Sequence, residues 1–177
     1  MIQVNNKEFE LYVDSKKIES IVFNLAGRLN KDYAGKDPVL IGILNGSFLF
    51  IADLVRKLNF DPIVTFTKLA SYSGTQSTGQ VDELIGLKED LKGKDVLIIE
   101  DIVDTGNTLE KISEILKEKE IASLEIVTLL FKSSIYKKCI DIKYFGLDVP
   151  NKFIVGYGLD YDGRGRSLKG LYHLMEG

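Results

Sequence analysis

The chain has 177 residues, and 23 Lys and Arg against 26 Asp and Glu leave a net charge of −3; at 45% hydrophobic and 28% charged residues it is neither disordered nor fibrous. That length sets the expectation of one domain over residues 1–177, and the acidic balance gives no global pull towards nucleic acid. No apolar run approaches the ~20 residues of a membrane span, Met1–Lys7 lacks the apolar stretch of a signal peptide, and Cys139 alone cannot form an internal disulfide, so a cytoplasmic location is expected.

In chain order, Ser15 is placed as an N-cap, and Ile18, Ile21, Val22, Leu25 and Leu29 follow at the spacing of one helix face. Pro38 leads into Val39–Leu44, apolar on both faces as a parallel strand between helix layers is. Asn45-Gly46-Ser47 breaks the strand, and Phe48, Phe50, Ile51, Leu54, Val55 and Leu58 resume a helical period. Ile63–Leu69, β-branched and alternating, predicts a strand. Residues 71–80 carry no apolar side chain except the Tyr72 ring, and a loop of that length in a compact domain points to a lid or binding loop. Val81–Leu87 predicts a further strand and Asp95–Glu100 a second doubly buried one. Thr108 opens a helix with Leu109, Ile112, Ile115 and Leu116 on one face, and Leu124–Phe131 is a third buried strand. Ile140–Phe145 and Phe153–Tyr157 predict later strands on either side of a turn at Asp148–Asn151. Cys139 reads as a small buried hydrophobe and His173 as structural.

Strands alternating with helices predict an α/β fold, a mostly parallel twisted sheet flanked by helices. Ligands in such sheets bind beyond the carboxyl ends of the strands, which directs attention to the loops after residues 44, 99 and 131. The loop after the second buried strand, Ile99-Glu100-Asp101-Ile102-Val103-Asp104-Thr105-Gly106-Asn107-Thr108, holds three acids, a glycine and two threonines between a strand and a helix. Thr105 to Thr108 put backbone N–H groups and hydroxyls at a helix N-terminus, an arrangement that binds phosphate, and Gly106 lets the backbone approach closely. No lysine follows, so this is not the nucleoside-triphosphate P-loop. Glu100 and Asp101 would repel a triphosphate lying on them but suit a diol, with or without Mg2+ between. A phosphate cradle preceded by a diol-binding acid pair fits a ribose 5-phosphate.

This segment resembles the phosphoribosyl-diphosphate (PRPP) signature of the type I phosphoribosyltransferases, and its Asp104 resembles the 6-oxopurine, hypoxanthine-guanine branch. Lys132, after Leu129-Leu130-Phe131, stands where that family has its purine-binding lysine. Lys152–Tyr161 followed by Arg166 resembles the base- and pyrophosphate-binding stretch, Leu44-Asn45-Gly46-Ser47 the pyrophosphate loop, and Ser71-Tyr72 the mobile lid. The resemblance covers roughly Val39 to Leu168. It implies a core of roughly residues 15–150 and a small hood built from the N-terminal segment and roughly 150–177. It also implies transfer of phosphoribose from PRPP to a 6-oxopurine, giving the nucleoside 5′-monophosphate and pyrophosphate.

The roles it implies are specific. Asp104 is the general base or proton holder facing the purine; Leu44, Asn45, Gly46, Glu100, Asp101, Asp104, Thr105, Gly106, Asn107, Thr108 and Arg166 bind PRPP or nucleotide; Lys132, Phe153, Ile154 and Asp160 serve the purine end. Glu100, Asp101 and Asp160 would hold the cofactor Mg2+, and a homodimer or homotetramer is implied, with no nucleic acid or membrane partner. Relatives usually carry Lys at Asn45, in a loop with a cis peptide after Leu44, and Pro then arginines after Lys132. Asn45 and Ser133-Ser134-Ile135-Tyr136-Lys137-Lys138 therefore imply weaker PRPP affinity. Two other readings stand beside this one. A regulator of the same fold that binds RNA would want a basic face, and a receiver-type phosphoacceptor would carry its acid pair after its first strand rather than past mid-chain.

Overall fold

The computed structural model describes residues 1–69, 83–85 and 87–175. Two sheets share the chain. The larger is built from β3 (Val39–Ile43), β4 (Ile63–Leu69), β5 (Glu83–Ile85), β6 (Asp95–Val103), β7 (Ser123–Phe131) and β8 (Tyr144–Asp148) in the order β5-β4-β3-β6-β7-β8. All its neighbours pair parallel except β4 and β5, so an antiparallel strand closes one edge. The smaller sheet joins the two ends of the chain, with β1 (Ile2–Val4), β2 (Lys7–Val13), β10 (Leu171–Leu174) and β9 (Ile154–Val155) in that order.

Strand alternation explains the layering. Leu40, Leu97, Ile99, Val127 and Leu129 face α1 (Ser15–Asp32) and α2 (Phe48–Val55), while Val39, Ile41, Ile43, Val96, Ile98 and Ile126 face α3 (Asn107–Lys117). Both faces are covered, which is why β3 reads as an unbroken apolar run and is buried at every position. The buried face of α1 is the expected set, Ile18, Ile21, Val22, Leu25 and Leu29, with Ala26 added. Among the described residues, no helix is long and apolar enough to cross a membrane.

Several expectations are corrected at element ends. Asp14, not Ser15, caps α1: its backbone is extended and its carboxylate accepts from Lys17 N at 2.8 Å. Helix α3 starts at Asn107, one residue before Thr108. The strand expected at Ile140–Phe145 runs instead over Tyr144–Asp148, which moves the turn past Asp148; Ile142 is buried against the α3 cluster without joining a strand. Phe153–Tyr157 shortens to Ile154–Val155 because Gly156, Tyr157 and Gly158 all take positive φ. Of the strand expected over Val81–Leu87, the structure describes Glu83–Ile85, and Ser71 and Tyr72 lie outside the described residues. Cys139 is exposed, not buried. His173 sits on β10, 3.1 Å from Glu10, with Tyr12 edge-on to its ring.

The smaller sheet has its own small core of Val4, Phe9 and Val155. Phe9 is fully buried, and its ring lies 6.4 Å from that of Phe153 and 6.3 Å from that of Tyr161. Phe9→Ala should therefore cost about 3–5 kcal/mol of stability. Urea denaturation measures this, and a loss below 1 kcal/mol would mean that the ring is not a structural element of this sheet.

Candidate active site

The larger sheet reverses direction between β3 and β6: from β3 the chain builds outwards to β4 and β5, then returns to β6 and builds towards β7 and β8. Ligands of parallel α/β sheets bind in the crevice at such a switch point. Here the crevice is bounded by the loops at residues 44–47 and 104–107.

Strand β6 runs three residues past Glu100, so the acid pair lies inside the strand. Alternation sends Glu100 towards α3, into a recess shared with Asp104, Gly106 and Thr108, and Asp101 to the other face, towards Gly46. Both acids are buried, and Glu100 Oε2 has no hydrogen-bond partner. Burial, then the charges of Asp101 and Asp104, hold Glu100 well above the ordinary carboxylate range. Burial also pushes Asp101 up to about 6, against the lowering effect of its contact with Ile102 N and of the Arg166 charge.

Three backbone segments meet at Gly46. A Cβ there would stand 1.5 Å from Asp101 Oδ2, and a Cβ on Gly158 would stand 2.0 Å from Gly46 O. Only glycine fits either position. The Leu44–Asn45 peptide is cis, and Ser47 is buried with its hydroxyl donating to Ile43 O at 2.6 Å. On the far side of Gly158, Arg166 Nη1 donates to Gly158 O at 2.7 Å, and its Nη2 lies 2.8 Å from Asp160 Oδ1. Asp160 Oδ2 in turn accepts from Gly163 N.

On the Glu100 face of β6 lies the start of α3. Gly106 stands at the N-cap with φ +80°, and no side chain caps the helix, so its first N–H groups have no side-chain acceptor. Asp104 and Thr105 are exposed, and the Asp104 carboxylate accepts from Thr105 N. A Cβ on Gly106 would meet Tyr136 Cε2 at 2.5 Å and Lys138 Cγ at 2.8 Å. Tyr136 packs edge-on to Phe131 and donates to Ile140 O, and Lys138 Nζ pairs at 2.6 Å with Glu110, the acid in the first turn of α3.

Lys132 continues β7, donating its N–H to Val103 O, while its Nζ reaches Asn151 Oδ1 at 3.3 Å. Phe153 is 47% exposed and packs edge-on to Tyr161 at 5.8 Å, and Ile154 is buried in β9. The structure thus brings Gly46, Asp101, Asp160 and Arg166 together on one side. It sets Glu100, Asp104, Thr105, Gly106 and Thr108 around the start of α3, and Lys132 with Phe153 at a third corner. Sequence reasoning missed Tyr136, Lys138, Asn151 and Gly158. Of these only Gly158 left a trace, in the Gly-Tyr-Gly string.

Residues 10–162 match the phosphoribosyl transferase domain, and the chain belongs to the phosphoribosyltransferase family. It is 43% identical over 159 residues to the hypoxanthine-guanine phosphoribosyltransferase of Staphylococcus aureus (strain Mu50 / ATCC 700699), covering 89% of each chain. It is also 43% identical over 162 residues to the hypoxanthine phosphoribosyltransferase of Escherichia coli (strain K12), covering 90% of this chain and 91% of the other. The crystal structure of a hypoxanthine phosphoribosyltransferase from Staphylococcus aureus superposes with a TM-score of 0.88 at 42% identity, covering 94% of this chain and 91% of that one. The resemblance to the hypoxanthine-guanine branch is thereby borne out, and with it the α/β fold and a transferase activity. The RNA-binding alternative finds no support among these relatives.

The raised Asp101 has a consequence for stability. A carboxyl whose folded pKa is raised from 3.8 to about 6 stabilises the fold fully below pH 4 and loses that contribution as pH climbs through 6. The loss at pH 7 is on the order of 3 kcal/mol. Asp101→Asn without divalent cation or nucleotide should therefore match the parent in Tm near pH 4 and exceed it increasingly up to pH 6–7. A Tm difference that stays flat across that range would contradict the raised value.

Proposed function

We propose that the chain is a Mg2+-dependent 6-oxopurine phosphoribosyltransferase, joining N9 of hypoxanthine or guanine to C1′ of PRPP as pyrophosphate leaves. The observation that carries this reading is a buried acid pair, one oxygen unpartnered, beside a helix start that no side chain caps. An anionic 5-phosphate belongs on the N–H groups of residues 105–108, and the ribose hydroxyls then fall to Glu100 and Asp101.

The donor set suits Mg2+: hard carboxylate oxygens, two of them buried and raised by desolvation. Among the described residues no three His, Cys, Asp or Glu side chains converge on one point, so the protein alone would supply only part of an ion's coordination. Glu100 and Asp101 would help hold one ion, and Asp160, through lone pairs not taken by Arg166 and Gly163, a second. Bound there, Mg2+ supplies positive charge against the pyrophosphate.

The chain's own residues do the remaining work. Arg166 meets pyrophosphate oxygens with a planar fork of donors while its own position is fixed by Gly158 O and Asp160. Backbone groups of Leu44, Asn45 and Gly46 line the same end. As the C1′–O bond breaks, positive charge grows on the ribose ring, and the Glu100 and Asp101 carboxylates oppose it. As the N9–C1′ bond forms, the purine loses a proton, which exposed Asp104 holds at N7. Lys132 donates to O6, an acceptor that 6-aminopurines lack, and Phe153 offers its open face for stacking. Residues 71–80, with Ser71 and Tyr72, are the lid in this reading. A homodimer or homotetramer is the assembly it carries, and light scattering distinguishes the two.

Turnover of PRPP with hypoxanthine, guanine, xanthine and adenine, with and without Mg2+, tests the reading. Activity confined to 6-oxopurines and abolished by chelation is the expected result; turnover of adenine alone, or of none, would overturn it. Asp104→Asn should lower kcat by about 10²–10⁴-fold while moving KM far less. Full kcat in that variant would remove Asp104 from the proton-handling role.

A further inference from the structure

Behind the crevice, Tyr157 reaches 104 positions back along the chain and donates its hydroxyl to Asp53 Oδ2 at 2.7 Å. The backbone around it is unusual. Tyr157 takes φ +46° between Gly156 at +104° and Gly158 at +101°. An L residue keeps a left-handed conformation only where its surroundings over-determine it; here Tyr157 N donates to Leu168 O at 2.9 Å, and the hydroxyl bond to Asp53 adds a hold from the side chain. The ring is buried at the margin of the larger apolar cluster. A cavity of about 560 Å3 opens beside it, lined by Leu49, Asp53, Arg56, Tyr157 and Leu168 among others.

Each end of this hydrogen bond leads to one half of the pyrophosphate region. Asp53 lies on α2, which continues directly from the Leu44–Ser47 loop, and Ile51 N donates to Ser47 O at the start of that helix. Tyr157 precedes Gly158, which rests on Gly46 O, donates to Arg166 O and accepts from Arg166 Nη1. Asp160, two residues on, pairs with the same Arg166. The purine corner is held by other contacts, Lys132 to Asn151 and Phe153 to Phe9 and Tyr161.

We infer that Tyr157 and Asp53 are positioning residues for the pyrophosphate half of the site, their hydrogen bond setting Asp160 and Arg166 against the Asn45-Gly46 loop. The inference rests on the phosphoribosyltransferase reading for its kinetic consequence, though not for the coupling itself. Neither side chain touches substrate; each acts through the backbone that carries the groups that do.

Steady-state kinetics of Tyr157→Phe, Asp53→Ala, Asp53→Asn and the Tyr157→Phe/Asp53→Ala pair test it. Amide hydrogen exchange of parent and Tyr157→Phe runs alongside. Tyr157→Phe and Asp53→Ala should each raise KM for PRPP, and for pyrophosphate in the reverse direction, about tenfold, as loss of one hydrogen bond to a charged acceptor does. KM for hypoxanthine should stay within about twofold of the parent. The double variant should be no worse than either single one, and Asp53→Asn, which keeps an acceptor oxygen, should stay near the parent. Exchange in Tyr157→Phe should quicken over residues 156–168 and not over 151–154. Equal rises in both KM values, additive losses, or Asp53→Asn as impaired as Asp53→Ala would overturn the inference. A parent without PRPP turnover would instead remove the phosphoribosyltransferase reading. Exchange would then decide the coupling alone, and rates over 156–168 equal to the parent's would end it.

Discussion

Two carboxylates side by side near the end of a buried strand are the constraint around which the crevice is organised. Glu100 and Asp101 are desolvated by β3 and β7 on either side, and the Asp101 charge adds to the difficulty of ionising Glu100. Burying them costs free energy that the doubly covered sheet must offset. The Arg166 charge eases Asp101 on its own side of the crevice, but Glu100 Oε2 is left without a donor. The site is therefore short of positive charge and of donors at the point where a sugar diol and a hard cation can supply both. Stability and binding pull in opposite directions at these two residues, as they do wherever a fold keeps buried polar groups for a ligand.

The opposite wall is deficient in the complementary sense. The start of α3 carries backbone N–H groups with no side-chain cap, and its first-turn acid, Glu110, would repel an anion arriving there. Lys138 pairs with that acid, and the Lys138 stem and the Tyr136 ring close over Gly106 from outside. The segment after β7 thus shapes the phosphate end without facing it. In this chain the next cations after Lys132 are Lys137 and Lys138, five and six residues later.

The interior of the fold was legible in the sequence because each doubly covered strand is a continuous apolar run and α1 and α3 carry one-faced periodicity. The acid pair and the glycine-threonine loop were legible for a related reason: the chemistry is local, a string that runs from one strand into one helix. What stayed hidden is long-range. Lys7–Val13 and Leu171–Leu174 carried no strand expectation, and nothing near either in sequence says that the other is its partner. Ile142 is apolar because it is buried against α3, and apolarity reports burial without reporting pairing, which is why β8 fell three to four residues from its expected place. The fit of Gly158 on Gly46 and the reach of Tyr157 to Asp53 join positions more than a hundred residues apart. A sequence reading has no spacing rule for such contacts.

Those contacts matter because the two ends of the reaction are anchored in different sheets. Phe153, the proposed stacking face for a base, belongs to the smaller sheet, whose core is little more than Val4, Phe9 and Val155. The acid pair and the phosphate cradle belong to the larger sheet, with its two extensive apolar layers. Ribosyl transfer needs N9 and the departing oxygen on opposite sides of C1′ at fixed separation, so the relative placement of the two sheets is itself a catalytic variable. Propensity and core packing fix each sheet internally but say little about how one sits on the other. That placement is left to a few close approaches at the seam. Glycines appear there, where the backbone of one segment must rest directly on the carbonyl or carboxylate of another.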